Sequence, residues 1–359
     1  MDIRIEKVKT SKLKQTDLNN IPFGRVFTDH MFVMDFKDGQ WQDARIVGVD
    51  SIPMHPANLT LHYGQSIFEG MKASKNEDGV PLLFRVDQHV SRMNASAKRM
   101  CMPTIDPGIF SEAVRQLVLI EKDWIPDQKG SALYIRPFMF ATDEFLGVAP
   151  SESYKFIVLT LPVAPYYSKP VKLLASTQYI RAAQGGVGEA KTAGNYAASL
   201  LASKQARDKG FDQVLWLDGK EFKYAQEVGT MNIFFVINNV VITPPTDGAI
   251  LKGITRDSFF HILRDKGFTV EERPVSMDEV TEAYLNGTLS EVFGSGTAAV
   301  AVDVAQIAYK DILIELNPGS DSLAQMLKEE INGIRTGQID DKFGWIEPVF
   351  EVESMASHS

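Results

Sequence analysis

The chain has a single cysteine, Cys101, in 359 residues, so it can form no internal disulfide and nothing points to an oxidising compartment. Long apolar runs are missing too. The longest stretches, such as "FIVLTLPV", are far too short to cross a bilayer. No block of lysines or arginines occurs: 37 basic residues stand against 46 acidic ones, a formal net charge of -9. That distribution lacks the basic patch that tracks a nucleic-acid backbone or an anionic membrane. No internal repeat or low-complexity segment stands out. The opening "MDIRIEKVKTSKLKQTDL" lacks the apolar core of a signal peptide and carries acids that a transit peptide avoids. The expectation is a cytoplasmic protein acting on small molecules, with neither nucleic acid nor membrane as partner. What is present is 44% hydrophobic content over a length sufficient for two ordinary domains with a well-buried core.

The hydrophobic pattern predicts mixed α/β structure. "HMFVMDF" and "PLLFR" read as strands, and the spacing of Val90, Met93, Ala97 and Met100 reads as a helix with Asp87 as its N-cap. A second helix is predicted in "GIFSEAVRQLVLIEKDW", followed by the strands "SALYIRPFMFAT" and "KFIVLTLPV". The aperiodic "APYYSKP" then marks a boundary. This gives a small domain over 1–163, a linker over 164–171 and a larger domain over 172–359. The larger unit holds the strand "VKLLAST", a glycine run and the helix "NYAASLLASKQARDKG" closed by Gly210. Strands "QVLWLDG", "MNIFFVIN" and "NVVITPP" follow, joined by turn signals at Asp218-Gly219 and Asn238-Asn239 that predict antiparallel pairing. A helix in "GITRDSFFHILRDKG", two strands hinged on Gly294-Ser295-Gly296 and a helix in "SLAQMLKEEINGIRTG" complete the pattern, with a disordered tail at the end.

The stretch "GGVGEAKT", Gly185 to Thr192, carries the first candidate chemistry. It approaches the phosphate-binding pattern of glycine, four residues, Gly-Lys-Thr, but Ala190 takes the place of the second glycine. A methyl group there obstructs the bare backbone cradle that such a loop needs. The other reading makes Lys191 a Schiff-base lysine, whose amine has to be partly neutral to react with an aldehyde. Spacing alone leaves three options open for Lys191: nucleotide, aldehyde, or ordinary surface charge.

The segments "GGVGEAKTAGNYAASLLA", "AQEVGTMNIFFV", "LKGITRDSF" and "EVFGSGTAAV" occur in this order, and together they resemble the branched-chain amino acid aminotransferases, pyridoxal-phosphate enzymes of fold type IV. "PFGRVFTDHMFVMDF", "LHYGQSIFEGMKA", "LFRVDQHVSRMNASAKRMCMP" and "LYIRPFMFAT" resemble the same family's small domain, so the likeness extends from about Phe23 to Trp345. It implies a two-domain fold, like that of D-amino acid aminotransferase, with the cofactor between the domains. The implied activity is reversible amino transfer between L-leucine, L-isoleucine or L-valine and 2-oxoglutarate, in a homodimer. D-amino acid transaminase and aminodeoxychorismate lyase share the fold and are the nearest rivals.

The resemblance also assigns roles. Lys191 holds the aldehyde of pyridoxal 5'-phosphate and later moves a proton. Tyr196 matches the phenol that bonds the cofactor's O3', and Glu227 the acid that keeps its ring nitrogen protonated. Arg85, the helix start at Ile254 and Thr255, and Thr297 match the phosphate contacts. Phe23, Tyr63, Phe68, Tyr134 and Thr230 are implied for the substrate pocket, with Tyr63, Arg136 and the Thr297-Ala298 segment near the substrate carboxylate. The neighbourhood of Tyr63 is one that can reach a partner's site in such homodimers. One departure from animal members is that Ala299-Val300-Ala301-Val302 replaces their C-x-x-C pair, so thiol regulation there is not expected, and Cys101 is expected to be a small buried hydrophobe. No metal is called for.

Overall fold

The computed structural model describes residues 2–18, 21–165 and 169–350. The middle of the expected linker, 166–168, and the expected disordered tail, 351–359, lie outside the described residues.

Two nine-stranded sheets organise the chain. From edge to edge the first runs Arg4–Ile5, Gln40–Gly48, His30–Lys37, Tyr154–Val163, Ala132–Ala141, Met71–Lys75, Pro81–Phe84, Ile346–Pro348, with Ser66–Phe68 pairing separately with Ala132–Ala141. Helices Val86–Arg99 and Pro107–Ile120 cover it. The second of these starts as its sequence dictates: Asp106 caps the amides of Gly108 and Ile109, Pro107 follows, and Phe110, Ala113, Val114, Leu117 and Val118 form the buried stripe.

The second sheet runs Ala225–Val228, Gln213–Leu217, Val171–Ala175, Val300–Tyr309, Leu289–Gly296, Met231–Ile237, Val240–Thr243, Val270–Glu272, with Ile312–Glu315 paired to Val300–Tyr309. Ala225–Val228 also pairs with Met231–Ile237, so six of these strands close into a ring. Pairings from Gln213 to Thr243 are antiparallel, as the turn signals predict. Asn238 and Asn239, at φ 52° and 61°, supply the left-handed pair that a tight hairpin turn requires.

Several expectations need correction. The sequence-based division places 172–359 in one unit, but Ile346–Pro348 returns to the first sheet, in register with Phe84, Leu83 and Leu82. Trp345 guides that return by packing edge-on against Phe84 at 5.6 Å. Asp87 is not an N-cap: the helix begins at Val86, and Arg85 precedes it in the left-handed region at φ 54°, ψ 46°. The predicted helix after Lys191 is two, Ala193–Ala198 and Leu200–Asp208, because the Ser199 hydroxyl donates back to the Tyr196 carbonyl. The hinge between the two late strands lies at 297–299 rather than at Gly294-Ser295-Gly296. Gly294 and Gly296 lie inside Leu289–Gly296, where a Cβ would come 2.9 Å from Val228 and 3.1 Å from Met231. Cys101 is exposed, since it follows the helix end in the left-handed conformation.

Candidate active site

Lys191 stands where the glycine stretch meets the first sheet. Thr192 forms a strand-like bridge with Ile67, and its hydroxyl donates to the Ser66 carbonyl at 2.7 Å. The Lys191 amide donates to the buried Ser96 hydroxyl at 2.9 Å, and its carbonyl accepts from the Phe68 amide. Three of the loop's N–H groups thus bind protein, since Gly186 also donates to Ala183 and Ala190 to Val187. A phosphate cradle needs those groups free, so the nucleotide-binding reading of this loop fails on geometry. Gly188 is needed for close packing, because a Cβ there would meet the Ala182 methyl at 2.6 Å and crowd the Ala249 carbonyl.

The Lys191 side chain points into a cavity of about 710 Å³ between the two sheets. Phe23, Phe68, Tyr134, Arg136, Tyr196, Thr230, Thr297 and Ala298 all line it. Lys191 Nζ lies 3.0 Å from the Tyr196 hydroxyl and 4.9 Å from the Phe68 ring centre. No carboxylate pairs with this ammonium among the described residues. Tyr134 stands edge-on to Phe23 at 5.6 Å. Arg136 has its guanidinium over Phe68 at 4.8 Å, donates to the Tyr134 hydroxyl at 3.1 Å, and leaves a buried Nε without a hydrogen-bond partner. An arginine facing rings and a phenol, with a buried donor unused, is suited to a carboxylate arriving from solution.

Glu227 is buried behind this cavity. Burial raises its pKa, opposed first by Arg181 and then by the Leu251 amide and Lys191. One oxygen accepts from the Leu251 amide at 2.8 Å and from Asn232 at 3.3 Å, and the other pairs with Arg181 Nε at 2.7 Å. Arg181 also donates to the Gly188 carbonyl at 3.1 Å and to the Ala249 carbonyl, so one side chain fixes the glycine loop and the acid together. Sequence reasoning missed Arg181, which lies 46 positions from Glu227 and belongs to no motif.

Arg85 and Ile254 line a second cleft, of about 510 Å³, together with Glu189 and Ala190 of the glycine loop. The left-handed backbone of Arg85 turns its guanidinium onto the Ser258 hydroxyl at 2.8 Å, the Asp257 carboxylate at 2.6 Å and the Trp345 ring at 5.1 Å. Such strain in a non-glycine residue is held only where its surroundings impose it. Thr255 is buried in the first turn of Ile254–Asp265 and lines neither cavity. Tyr63 does not reach the Lys191 cavity: it is 46% exposed at the end of the short helix Leu59–Tyr63.

Two buried clusters beside the site have no sequence signature. Glu69, between the cavity residues Phe68 and Gly70, takes a bidentate pair from Arg92 at 2.7 and 2.8 Å and a bond to His89 at 2.8 Å. Burial pushes its pKa up, but Arg92 and His89 override this and hold it far below the usual carboxylate range. Lys72 is buried, has no carboxylate partner among the described residues, and donates to the Ala298 carbonyl at 2.8 Å, across to the turn at 297–299. Burial, reinforced by Arg335 and Lys328, lowers its pKa to about 7.

A buried acid held by an arginine, a lysine beside a phenol, and an anion-seeking arginine over apolar walls define a transaminase-type site. The family model described as Amino-transferase class IV matches residues 66–307, and the chain belongs to that family. Branched-chain-amino-acid aminotransferase 2 of Bacillus subtilis is 49% identical over 348 residues, 96% of each chain. A probable branched-chain-amino-acid aminotransferase of Staphylococcus aureus (strain MRSA252) is 47% identical over 349 residues, 96% of this chain and 97% of that one. Among solved structures, the branched-chain amino acid aminotransferase of Escherichia coli is similar with a TM-score of 0.72 at 28% identity, covering 90% of this chain and 99% of that one.

Proposed function

We propose that the chain is a pyridoxal-phosphate-dependent branched-chain amino acid transaminase, exchanging the amino group of L-leucine, L-isoleucine or L-valine with 2-oxoglutarate. The observation that carries this reading is the shared cavity, in which Lys191 and Arg136 flank the Phe68 ring inside an otherwise largely apolar lining. The relatives' names and the 49% identity over 96% of both chains support the branched-chain class over D-amino acid transaminases and aminodeoxychorismate lyases of the same fold.

Pyridoxal phosphate, when bound, supplies the aldehyde that carries the amino group and the electron sink that weakens the substrate's Cα–H bond. The residues present fit it: an amine without a carboxylate partner, a buried carboxylate held by Arg181, and a buried arginine at a helix start. Lys191 would hold the cofactor's aldehyde and would then be the base for the proton at the substrate's α-carbon, with the Tyr196 hydroxyl 3.0 Å away to orient its amine. Glu227 would be the acid that serves the ring nitrogen, and Arg85, with Ile254 at its helix start, would hold the phosphate. Thr255 and Thr297, which do not line the Arg85 cleft, are assigned to the phosphate by the family likeness alone. Arg136 and Tyr134 take a substrate carboxylate. Phe23, Phe68, Thr230, Ala298 and the neighbouring Phe27 and Leu159 receive the side chain and exclude water.

We assign residues 1–163 and 172–345 to two domains, with the strand Ile346–Pro348 docked on the first. A homodimer is part of the same proposal. Leu61, Tyr63, Leu146 and Val148 are 59%, 46%, 65% and 90% exposed, on segments tied together by the Leu59 amide and Asp143 carbonyl. Such a patch suits a second copy of the chain. No helix among the described residues is long and apolar enough to cross a membrane, and the single cysteine accords with work in the cytoplasm.

The test is to incubate the purified chain with pyridoxal phosphate, reduce with borohydride and map the peptides. An adduct on Lys191, together with glutamate formation from L-leucine and 2-oxoglutarate, is expected. An adduct elsewhere overturns the site, and turnover of D-alanine but not L-leucine overturns the substrate class.

A further inference from the structure

The cleft that holds Arg85 is walled by Glu189 and Ala190 of the glycine loop and shares no lining residue with the Lys191 cavity, and its chemistry differs from that cavity's. Five cationic side chains line it. Arg85, Arg92, Arg256 and, at 3.9 Å, Lys252 each have a carboxylate neighbour, in Asp257, Glu69, Glu272 and Glu189, while Arg99 has only carbonyl partners among the described residues. Arg99 and Lys252 are exposed at its rim, while Arg85, Arg92 and Arg256 lie deeper. Arg99 on helix Val86–Arg99 donates to the carbonyls of Gly185 and Gly186, so it fixes one lip of the cleft against the loop that carries Lys191. Lys252 is 67% exposed by its side chain and, among the described residues, its ammonium pairs with Glu189 at 3.9 Å.

Two observations point to an anion. Arg256 is 5% exposed, uses Nη2 on Glu272 and the Pro244 carbonyl, and leaves its Nε without any hydrogen-bond partner. A buried guanidinium N–H left unpaired is costly unless a ligand takes it. Gly253 and Ile254 also face the cleft at the start of the 12-residue helix Ile254–Asp265, where free amides and the helix dipole favour negative charge. Against these stands Asp257, half-exposed and paired to Arg85 at 2.6 Å. Any anion that comes to Arg85 competes with that carboxylate.

We propose that this basic cleft, not the substrate cavity, is the entrance by which the cofactor's phosphate monoester reaches Arg85, with Arg99 and Lys252 steering it and Asp257 acting as an internal competitor. The proposal rests on the cofactor assignment above. The two routes differ in charge: the substrate cavity presents only Lys191 and Arg136 as cations, amid aromatic and aliphatic walls. A rim of fixed positive charge raises the association rate of a dianion and leaves a salt dependence as its signature.

The experiment is stopped-flow association of pyridoxal phosphate with the full-length apoenzyme, followed by cofactor absorbance, at about 0.01 M and about 1 M salt, where the screening lengths are about 30 and 3 Å. At low salt R99E/K252E is expected to associate about tenfold more slowly than wild type, and the difference should vanish at high salt. Lys252→Glu alone keeps the test independent of the loop contacts of Arg99. D257N is expected to associate faster than wild type at low salt, and an unchanged rate would refute Asp257 as a competitor. The charge-matched control K37E/K209E changes exposed residues that line no part of this cleft or of the Lys191 cavity. If the rim variants match this control at low salt, the entrance is elsewhere while the cofactor assignment stands. If wild-type chain takes up no pyridoxal phosphate, the assignment and the entrance both fall.

Discussion

Replacing Arg181 by alanine isolates the largest electrostatic debt in the site. Glu227 is 3% exposed, and without Arg181 its hydrogen-bond donors among the described residues are neutral, the Leu251 amide at 2.8 Å and Asn232 at 3.3 Å, with the Lys191 and Arg256 charges left to act at longer range. Breaking a buried pair by removing one partner costs about 3–5 kcal/mol, because the remaining charge is left uncompensated. Burial already raises this carboxyl above its ordinary value of 4.5, so the folded chain holds a proton more tightly than the unfolded chain. Stability from this group therefore falls as pH rises through that window, and Arg181→Ala widens the window upward. The variant should lose little relative to wild type near pH 5 and about 3–5 kcal/mol at pH 8, read from urea unfolding at both pH values. Adding Glu227→Gln removes the stranded charge, and the double variant should recover more than half of the pH 8 loss. A loss equal at pH 5 and pH 8, or a double variant as weak as the single one, would refute the view that Arg181 acts by neutralising Glu227. The loss would then belong to its carbonyl bonds with Gly188 and Ala249.

Lys72 gives the opposite slope. Its folded pKa is about 7 against an ordinary 10.5, so stability rises as pH increases between those values; Lys72→Met should flatten the rise in unfolding measured at pH 7 and pH 10. The same variant loses the bond to Ala298, and KM for L-leucine should rise about tenfold, or ~1.4 kcal/mol, with kcat less affected. Gly70→Ala places a methyl group against the Tyr134 hydroxyl and 2.9 Å from its Cζ, so Tyr134 has to swing off Arg136. The expected result is a higher KM for 2-oxoglutarate and a stability loss of about 1–3 kcal/mol in thermal unfolding. Trp345→Ala removes the Phe343 stack at 4.3 Å and the ring beneath Arg85; we expect a loss of about 3–5 kcal/mol in denaturant unfolding and weaker retention of pyridoxal phosphate on dialysis.

Legibility in the sequence followed chain distance. Lys191 and Tyr196 are five residues apart on one loop-to-helix passage, so a local pattern and a family likeness both reach them, and their side chains meet at 3.0 Å. Phe23, Tyr134 and Thr297 come from three distant segments and became candidates only through the likeness. Arg181, Arg92 and Lys72 stayed invisible because each works through a contact with a residue far along the chain: Glu227, Glu69 and Ala298. No periodicity encodes such pairs. Strand positions were readable where burial on one or both faces left an apolar run, as in Tyr154–Val163 and Met231–Ile237. The start of Val86–Arg99 was misread because propensity favours Asp87 as a cap, whereas packing of Arg85 against Ser258 and Trp345 decides where the helix begins. The glycines at 294 and 296 look like a hinge but serve close packing against Val228 and Met231.

The return of Ile346–Pro348 to the first sheet has a mechanical consequence. The backbone crosses between the sheets once between Val163 and Val171 and again between Arg335 and Ile346. Both ends of the larger unit are thereby tied to the first sheet, the Thr192 bridge to Ile67 and the Lys72 bond to Ala298 add ties beside the Lys191 cavity, and the Trp345 stack beneath Arg85 lies beside the second crossing.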